Sequence, residues 1–357
     1  MVTAMKSGFY NPSSLYAPGI AAQKEMDACR NLVKKKLAAQ DVVFTSGGTE
    51  ANNLAVLGLL NASRKTGRVL YSQGEHPAVR EPVKSLSGQY DTATIPLLSS
   101  GLLDLDALHA LLTHDTVLIC VMHINNEVGA IQPLSAVIAL RNEKCPDALI
   151  HVDGVQGFLR EAAALSGGID SYALSAHKIH GPKGIGALAL GSRAKISAYI
   201  LGGGQENARR SGTENTPGIA GLKAAIEAFP ASNDMRLLKL RLYHSLLDSI
   251  PDLAVNGPDP ASQDACDHIL NVSFPQVRGE TMMHALEGMG VYVSHTAACS
   301  SRKRSPSATL TGMNLSRERQ ESAVRFSLSP YTTHDEIDYA ARCSAQAWQS
   351  LRKYSRK

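Results

Sequence analysis

Residues 41–63 read DVVFTSGGTEANNLAVLGLLNAS. A short apolar run, 41–45, breaks at Ser46-Gly47-Gly48 and passes into a segment with Ala51, Leu54, Ala55 and Gly58 at helical spacing. β-Branched and aromatic residues suit a strand, and the 3.6-residue period suits a helix resting one face on it. The same grammar continues outward. RVLYS (68–72), VLICVMHI (117–124), ALIHVD (148–153), SYALSAH (171–177) and GALAL (186–190) are further strand-like runs. Several are apolar without alternation, the mark of strands covered on both faces. The expected fold is therefore α/β, a large domain with a mainly parallel sheet covered by helices, whose ligands gather at the carboxyl ends of the strands.

The flanks complete the plan. Ala22, Met26, Cys29, Val33 and Leu37 form one apolar helical stripe, and PGIAGLKAAIEAF begins a helix at Pro217. Beyond it, HILNVSF, VYVSHT and AVRFSLS are strand-like, and TTHDEIDYAARCSAQAW is helical, with Thr333 and Glu336 spaced as a capping box. This mixture predicts a smaller α+β C-terminal domain. The expected organisation is a segment 1–40 packing with both domains, a large domain 41–230 and a small domain 231–357.

Composition limits the function. The chain has 357 residues, 44% of them hydrophobic, enough for a large core or two. Its 36 basic and 32 acidic residues are too balanced to argue for direct nucleic-acid binding. The run VLICVMHI is too short to span a bilayer, and MVTAMKSGFYNPSS has no signal-peptide core. No two cysteines form a CxxC pair, so neither a zinc site nor a disulfide framework is expected. A cytoplasmic setting, with no metal and no membrane partner, follows as the expectation.

Four local features carry chemistry. Gly47 and Gly48 let backbone approach a ligand, and Thr49 follows at a helix start, whose free N–H groups favour an anion. An ordinary capped strand–helix turn has the same sequence. Asp153 ends an apolar strand and suits a ligand cation such as a protonated ring nitrogen; a helix cap is the plainer alternative. His76, before Pro77, is a stacking or proton-shuttling candidate or a loop histidine. Lys178, crowded by Ser175 and His177 at a strand end, can act as a Schiff-base amine; a surface loop lysine is the alternative. Together they match the needs of pyridoxal 5'-phosphate: an anion site, an acid for the ring nitrogen, a stacking group and an amine for the aldehyde. Arg325, within AVRFSLS, is a candidate carboxylate clamp or a strand arginine in a surface pair. Cys299 stands among Ala297, Ala298, Ser300 and Ser301 and precedes RKR at 302–304. Small neighbours and nearby cations suit a reactive thiolate, whereas Cys120 sits in an apolar run and reads as core.

In this order NPSSLY, TSGGTEANN, GEHPAV, MHINNEVGAIQP, HVDGVQ, SAHKIHGPKGIGAL, RRSGTENTPGIAG, AACSS and VRFSLSPYTTHDEID give the chain its resemblance, over nearly its whole length, to the cysteine desulfurases. These belong to the class V aminotransferase group of fold type I pyridoxal-phosphate enzymes. The resemblance implies Lys178 as the amine that joins the cofactor and later moves the substrate's α-proton, with His76 stacking on the ring and aiding proton transfer. It implies Asp153 at the pyridine nitrogen, Gln156 at the ring hydroxyl, and Gly48, Thr49, Ser175 and His177 around the phosphate. Thr213 would reach the phosphate of a second subunit, so a homodimer is implied. Asn126, beside the cofactor, and Arg325 would take the substrate carboxylate, and Cys299 would be the nucleophile. The implied reaction converts L-cysteine to L-alanine and leaves a persulfide for a sulfur-acceptor protein, an iron–sulfur scaffold or a thiolation enzyme. Selenocysteine lysis or transamination on the same fold is the rival chemistry. Family members begin with a strand and turn like YLDNAATT, whereas only MVTAMKSG precedes FYNPSSLY here. A start assigned too far downstream reads the same way. A true lack would lower activity and stability, and a catalytically impaired partner protein is the reading it suggests.

Overall fold

In the computed structural model, which describes residues 1–7, 10–63, 65–230, 234–295 and 307–354, the chain opens with helices α1 (Val2–Ser7) and α2 (Ala17–Leu37). Met26, Cys29, Val33 and Leu37 of the α2 stripe are buried, and Ala38 closes the helix in the left-handed region, its N–H bonded to Lys34 O. Burial pushes the Cys29 thiol up to about 12, so it behaves as a small apolar side chain. Arg30 on α2 is paired with the buried Glu206 at 2.8 Å. That carboxylate also accepts from Phe44 N at 3.0 Å, which ties α2 to the first strand.

The strands are β1 (Asp41–Thr45), β2 (Arg68–Ser72), β3 (Asp91–Ile95), β4 (Thr116–Met122), β5 (Leu149–Asp153), β6 (Ser171–Ser175) and β7 (Gly186–Leu190). They form one sheet in the order β1-β7-β6-β5-β4-β2-β3. β7 runs antiparallel to both its neighbours; the pairs β6-β5, β5-β4, β4-β2 and β2-β3 are parallel. Helix α3 (Gly48–Ser63) covers one face: its Leu54, Ala55 and Leu59 join Val43, Val69, Cys120, Ala173 and Leu188 in a single apolar cluster. Helix α4 (Pro77–Ser85) follows β2. These elements belong to a first compact unit, made of Met1–Ile95, Leu105–His123 and Leu134–Phe229.

Two strand readings needed correction. SYALSAH stops pairing at Ser175, and Ala176–Ile179 form a 3₁₀ turn that ends at His180 with φ 64°. Among the described residues of VYVSHT, Ser294–His295 are strand and residues 291–293 are not. β3 was not read at all, because DTATI is exposed at one end and only Ile95 is fully buried.

The second unit is Pro96–Asp104, Ile124–Pro133 and Pro230–Lys357. Its sheet is antiparallel, in the order β10-β11-β9-β8, from β8 (Ala254–Val255), β9 (Ile269–Ser273), β10 (Ser294–His295) and β11 (Ala323–Ser327). The helices Met235–Ser249, Gly279–Glu287 and His334–Leu351 supply Leu242, Met282 and Trp348 to the core of this unit, against Leu270, Val272 and Val324. The Thr333–Glu336 capping box is formed in both directions. No helix among the described residues is long and apolar enough to cross a membrane.

Candidate active site

The parallel strands end on one edge of the large sheet. Met122 stands opposite Asp153, Asp153 opposite Ala173, and Ser175 and Thr45 both opposite Gly186. Everything that follows β1, β2, β5 and β6 therefore emerges at the same side, where ligands of open α/β sheets collect.

The turn after β1 is held tight against this edge. A side chain at position 48 would meet Val155 Cγ2 at 2.6 Å and Ser175 Cβ at 3.6 Å, so only glycine lets the start of α3 approach β5 and β6 this closely. Gly47 has φ 154°, within glycine's range. Thr49 is exposed in the first turn of α3, a helix of 16 residues whose first N–H groups point to this edge. Ser175 is buried and shares a 2.8 Å hydrogen bond with His177 Nδ1. Desolvation and the charges of Lys178 and Lys183 lower the pKa of His177.

Asp153 is only 5% exposed. Its Oδ2 accepts from Asn52 Nδ2 at 2.8 Å and its Oδ1 from Val155 N at 3.1 Å. Burial still drives its pKa above the usual carboxylate range, against those hydrogen bonds and the charges of His76 and Lys178. His76 is the N-cap of α4. Its Nδ1 accepts from Ala78 N at 3.1 Å, so the neutral ring carries its proton on Nε2. Desolvation, followed by Lys178 and Arg80, lowers the His76 pKa, while Asp153 opposes them. Lys178 is half-buried in the 3₁₀ turn, and Arg160 Nη2 donates to its carbonyl at 2.6 Å. Its charge acts on Asp153, His76 and His177 together, which places the four groups in one electrostatic field. Gln156 is half-buried in the turn after β5.

In the second unit Arg325 Nη1 donates to Asn126 O at 2.7 Å and Nη2 to Ser294 Oγ at 3.1 Å, so the two residues assigned to a carboxylate do meet. Arg325 Nε is buried without a hydrogen-bond partner. Thr213 is exposed, just after Gly212 at φ 114°. Cys299 lies outside the described residues.

Several residues of the edge were not anticipated. Asn52 and His151 are buried beside Asp153, and Glu75 accepts from Met122 N at 2.6 Å; burial and the Asp153 charge raise its pKa well above the ordinary value. His123 shares a 2.9 Å hydrogen bond with Tyr172, and burial pushes its pKa down to about 4. The signal for His151 was present: it precedes Asp153 by two residues in an apolar strand, hence on the same face.

Pyridoxal 5'-phosphate fits this donor set. Asp153 is a buried carboxylate whose desolvation is incompletely offset within the protein, and a cationic ring nitrogen would supply the missing compensation. The Gly48 approach, the α3 N-terminus and the Ser175 hydroxyl make an anion cradle beside an amine. Among the described residues, no cluster of three histidine, cysteine or acidic side chains is placed to hold a metal ion.

Comparison with known proteins shows the family of the chain. The aminotransferase class-V family model matches residues 4–340. The chain is 36% identical over 361 residues to cysteine desulfurase IscS of Dictyoglomus turgidum, spanning 98% of this chain and 90% of that protein. A solved NifS-like protein superposes with a TM-score of 0.89 at 31% identity, covering 98% of this chain and 94% of the other. A structure of SspA in complex with cysteine gives a TM-score of 0.80 at 29% identity, covering 92% of this chain and 94% of the other.

Proposed function

The chain belongs to the aminotransferase class-V family, among its pyridoxal 5'-phosphate-dependent cysteine desulfurases, and we propose that it takes sulfur from L-cysteine with Lys178, His76 and Cys299 as its catalytic residues. The observation that carries the assignment is the buried Asp153 at the end of β5, in one field with Lys178 and His76. Lys178 Nζ would be the amine that holds the cofactor, with Asp153 for its ring nitrogen, Gln156 for its ring hydroxyl and His76 for its face; Asn126 is a further candidate. Gly48, Thr49, Ser175 and His177 hold its phosphate. When bound, the cofactor condenses with amines and takes up the electron pair left at the substrate α-carbon.

The protein's own groups do the rest. Arg325 and Asn126 orient the substrate carboxylate. Lys178, freed as an amine, removes the α-proton, and His76, neutral with its proton on Nε2, carries protons to and from the substrate. The Cys299 thiolate attacks the substrate sulfur: the carbon–sulfur bond breaks, a sulfur–sulfur bond forms, and the β-carbon is protonated. L-Cysteine plus enzyme thiol thus gives L-alanine plus enzyme persulfide, with atoms and electrons balanced. The persulfide passes to a sulfur-acceptor protein, an iron–sulfur scaffold or a thiolation enzyme. Thr213 reaches the phosphate of a second copy, so the working form is a homodimer, and its setting is the cytoplasm. The test is alanine and sulfide release from L-cysteine with cofactor supplied and a dithiol added to reduce the persulfide. Wild type should release both, and Lys178→Ala neither; equal release by the two would remove Lys178 from the mechanism.

A further inference from the structure

Asp153 is the end of a buried hydrogen-bonded chain. Ser171 Oγ meets His151 Nδ1 at 2.8 Å, His151 Nε2 meets Asn52 Oδ1 at 2.9 Å, and Asn52 Nδ2 meets Asp153 Oδ2 at 2.8 Å. Ser171 and His151 are 0% exposed and Asn52 1%. The backbone explains how they converge. His151 and Asp153 are two residues apart on β5, so both point to the face that α3 covers. Ser171 is the register partner of His151 on β6, and Asn52 lies in the first turns of α3 above them.

The direction of the chain is fixed by chemistry. A carboxylate only accepts, so Asn52 turns its N–H to Asp153 and its carbonyl to His151. That carbonyl needs a donor, so His151 carries its proton on Nε2. Its Nδ1 must then accept, and Ser171 donates. Every link uses one donor and one acceptor, with no formal charge added. This matters because the charged groups around Asp153 already act on it: Lys178 and His76 favour its charge, and that charge in turn helps to raise the pKa values of the buried Glu75 carboxyl and Tyr172 phenol. Burial holds His151 at a pKa of about 3, consistent with a neutral link.

We propose that Ser171, His151 and Asn52 are positioning residues which lock the Asp153 carboxylate in one orientation and keep it ionised for the cofactor's ring nitrogen. Three polar side chains at near-zero exposure, between a sheet and a helix otherwise joined by Ala51, Leu54 and Ala55, have one common terminus, and it is Asp153. The inference rests on the assignment of Asp153 to the ring nitrogen.

Equilibrium dialysis of apo-protein against pyridoxal 5'-phosphate separates the two ideas. Asp153→Asn should weaken binding, and Asn52→Leu should weaken it by roughly tenfold, as supporting partners of a ligating group commonly do. The double variant should bind no worse than Asp153→Asn alone, because Asn52 acts through Asp153. Wild-type affinity in Asn52→Leu, or losses that multiply in the double variant, would overturn the proposal while leaving the Asp153 assignment intact. Wild-type affinity in Asp153→Asn would overturn both. Nitrogen-15 NMR of the unsubstituted holoenzyme gives a check that no folding defect can mask. His151 should show a protonated Nε2 and a bare Nδ1, unchanged across roughly pH 5 to 8, a range in which a free imidazole titrates. An Nδ1–H tautomer, or titration in that range, would contradict the chain.

Discussion

Gly154→Ala is the smallest substitution with a large expected effect. Gly154 follows Asp153, and a Cβ there would fall on the ring of Tyr172, onto Cε1 and Cζ. That ring is 0% exposed and its hydroxyl is held by His123 Nδ1 at 2.9 Å, so it has no free space to move into. Forcing a methyl into a packed interior costs about 1–3 kcal/mol. Shifting the ring also strands a buried hydrogen-bond partner, at about 1–3 kcal/mol. The sum, about 2–6 kcal/mol, should lower the melting temperature by roughly 4–24 °C for a unit of this size. Differential scanning calorimetry of the apo-protein reads the loss, and cofactor dialysis reads the accompanying displacement of Asp153. Tyr172→Leu empties the contested space. The double variant Gly154→Ala/Tyr172→Leu should therefore melt well above the level at which the two single losses simply add. A Gly154→Ala protein that melts with the parent, or strict additivity, would refute the packing argument.

Three further outcomes follow from the site. Borohydride reduction of the holoenzyme and peptide mapping should place the cofactor on Lys178; a tag on Lys183 would displace the assignment. Light scattering of the holoprotein should give a dimer, and a monomer with full cofactor occupancy would contradict the role of Thr213. Acid sensitivity comes from the buried neutral histidines. Unfolded, His123 and His151 take up protons near 6.5; folded, only near 4 and 3. Between those values the unfolded state binds more protons, so stability falls as pH falls, by up to about 1.4 kcal/mol per pH unit for each histidine. Urea midpoints at pH 7 and pH 5 should show a smaller drop in His123→Gln than in wild type, and equal drops would argue that His123 is not buried neutral.

Much of the fold was legible because its strands are apolar and its main helix is periodic. DVVFT, RVLYS and GALAL are strands over the residues read, and α3 spans GTEANNLAVLGLLNAS. What periodicity cannot carry is direction: nothing in GALAL distinguishes an antiparallel strand from the parallel ones beside it. Nor does it show that Pro96–Asp104 and Ile124–Pro133 belong to the second unit, since that is settled by contacts distant in sequence. At the site, the residues visible in advance were those with a conspicuous chemical type at a strand end: Asp153, Lys178 and His76. Asn52 was hidden because a polar residue inside an apolar run has no local signature, and the same-face spacing of His151 from Asp153 does not say what His151 binds. Its partner sits about a hundred residues away, and only the folded sheet brings the two together.

The central claim is that sulfur leaves L-cysteine on Cys299. Mass spectrometry of the 299-containing peptide after a single exposure to L-cysteine, with alanine quantified in the same sample, measures this directly. Wild type should carry one added sulfur on Cys299 for each alanine released. Cys299→Ser should retain the cofactor, because Lys178 and Asp153 are intact, and should release almost no alanine, since an alcohol cannot accept the sulfur as a persulfide. Wild-type alanine release by Cys299→Ser, or alanine without sulfur on Cys299, would contradict the account.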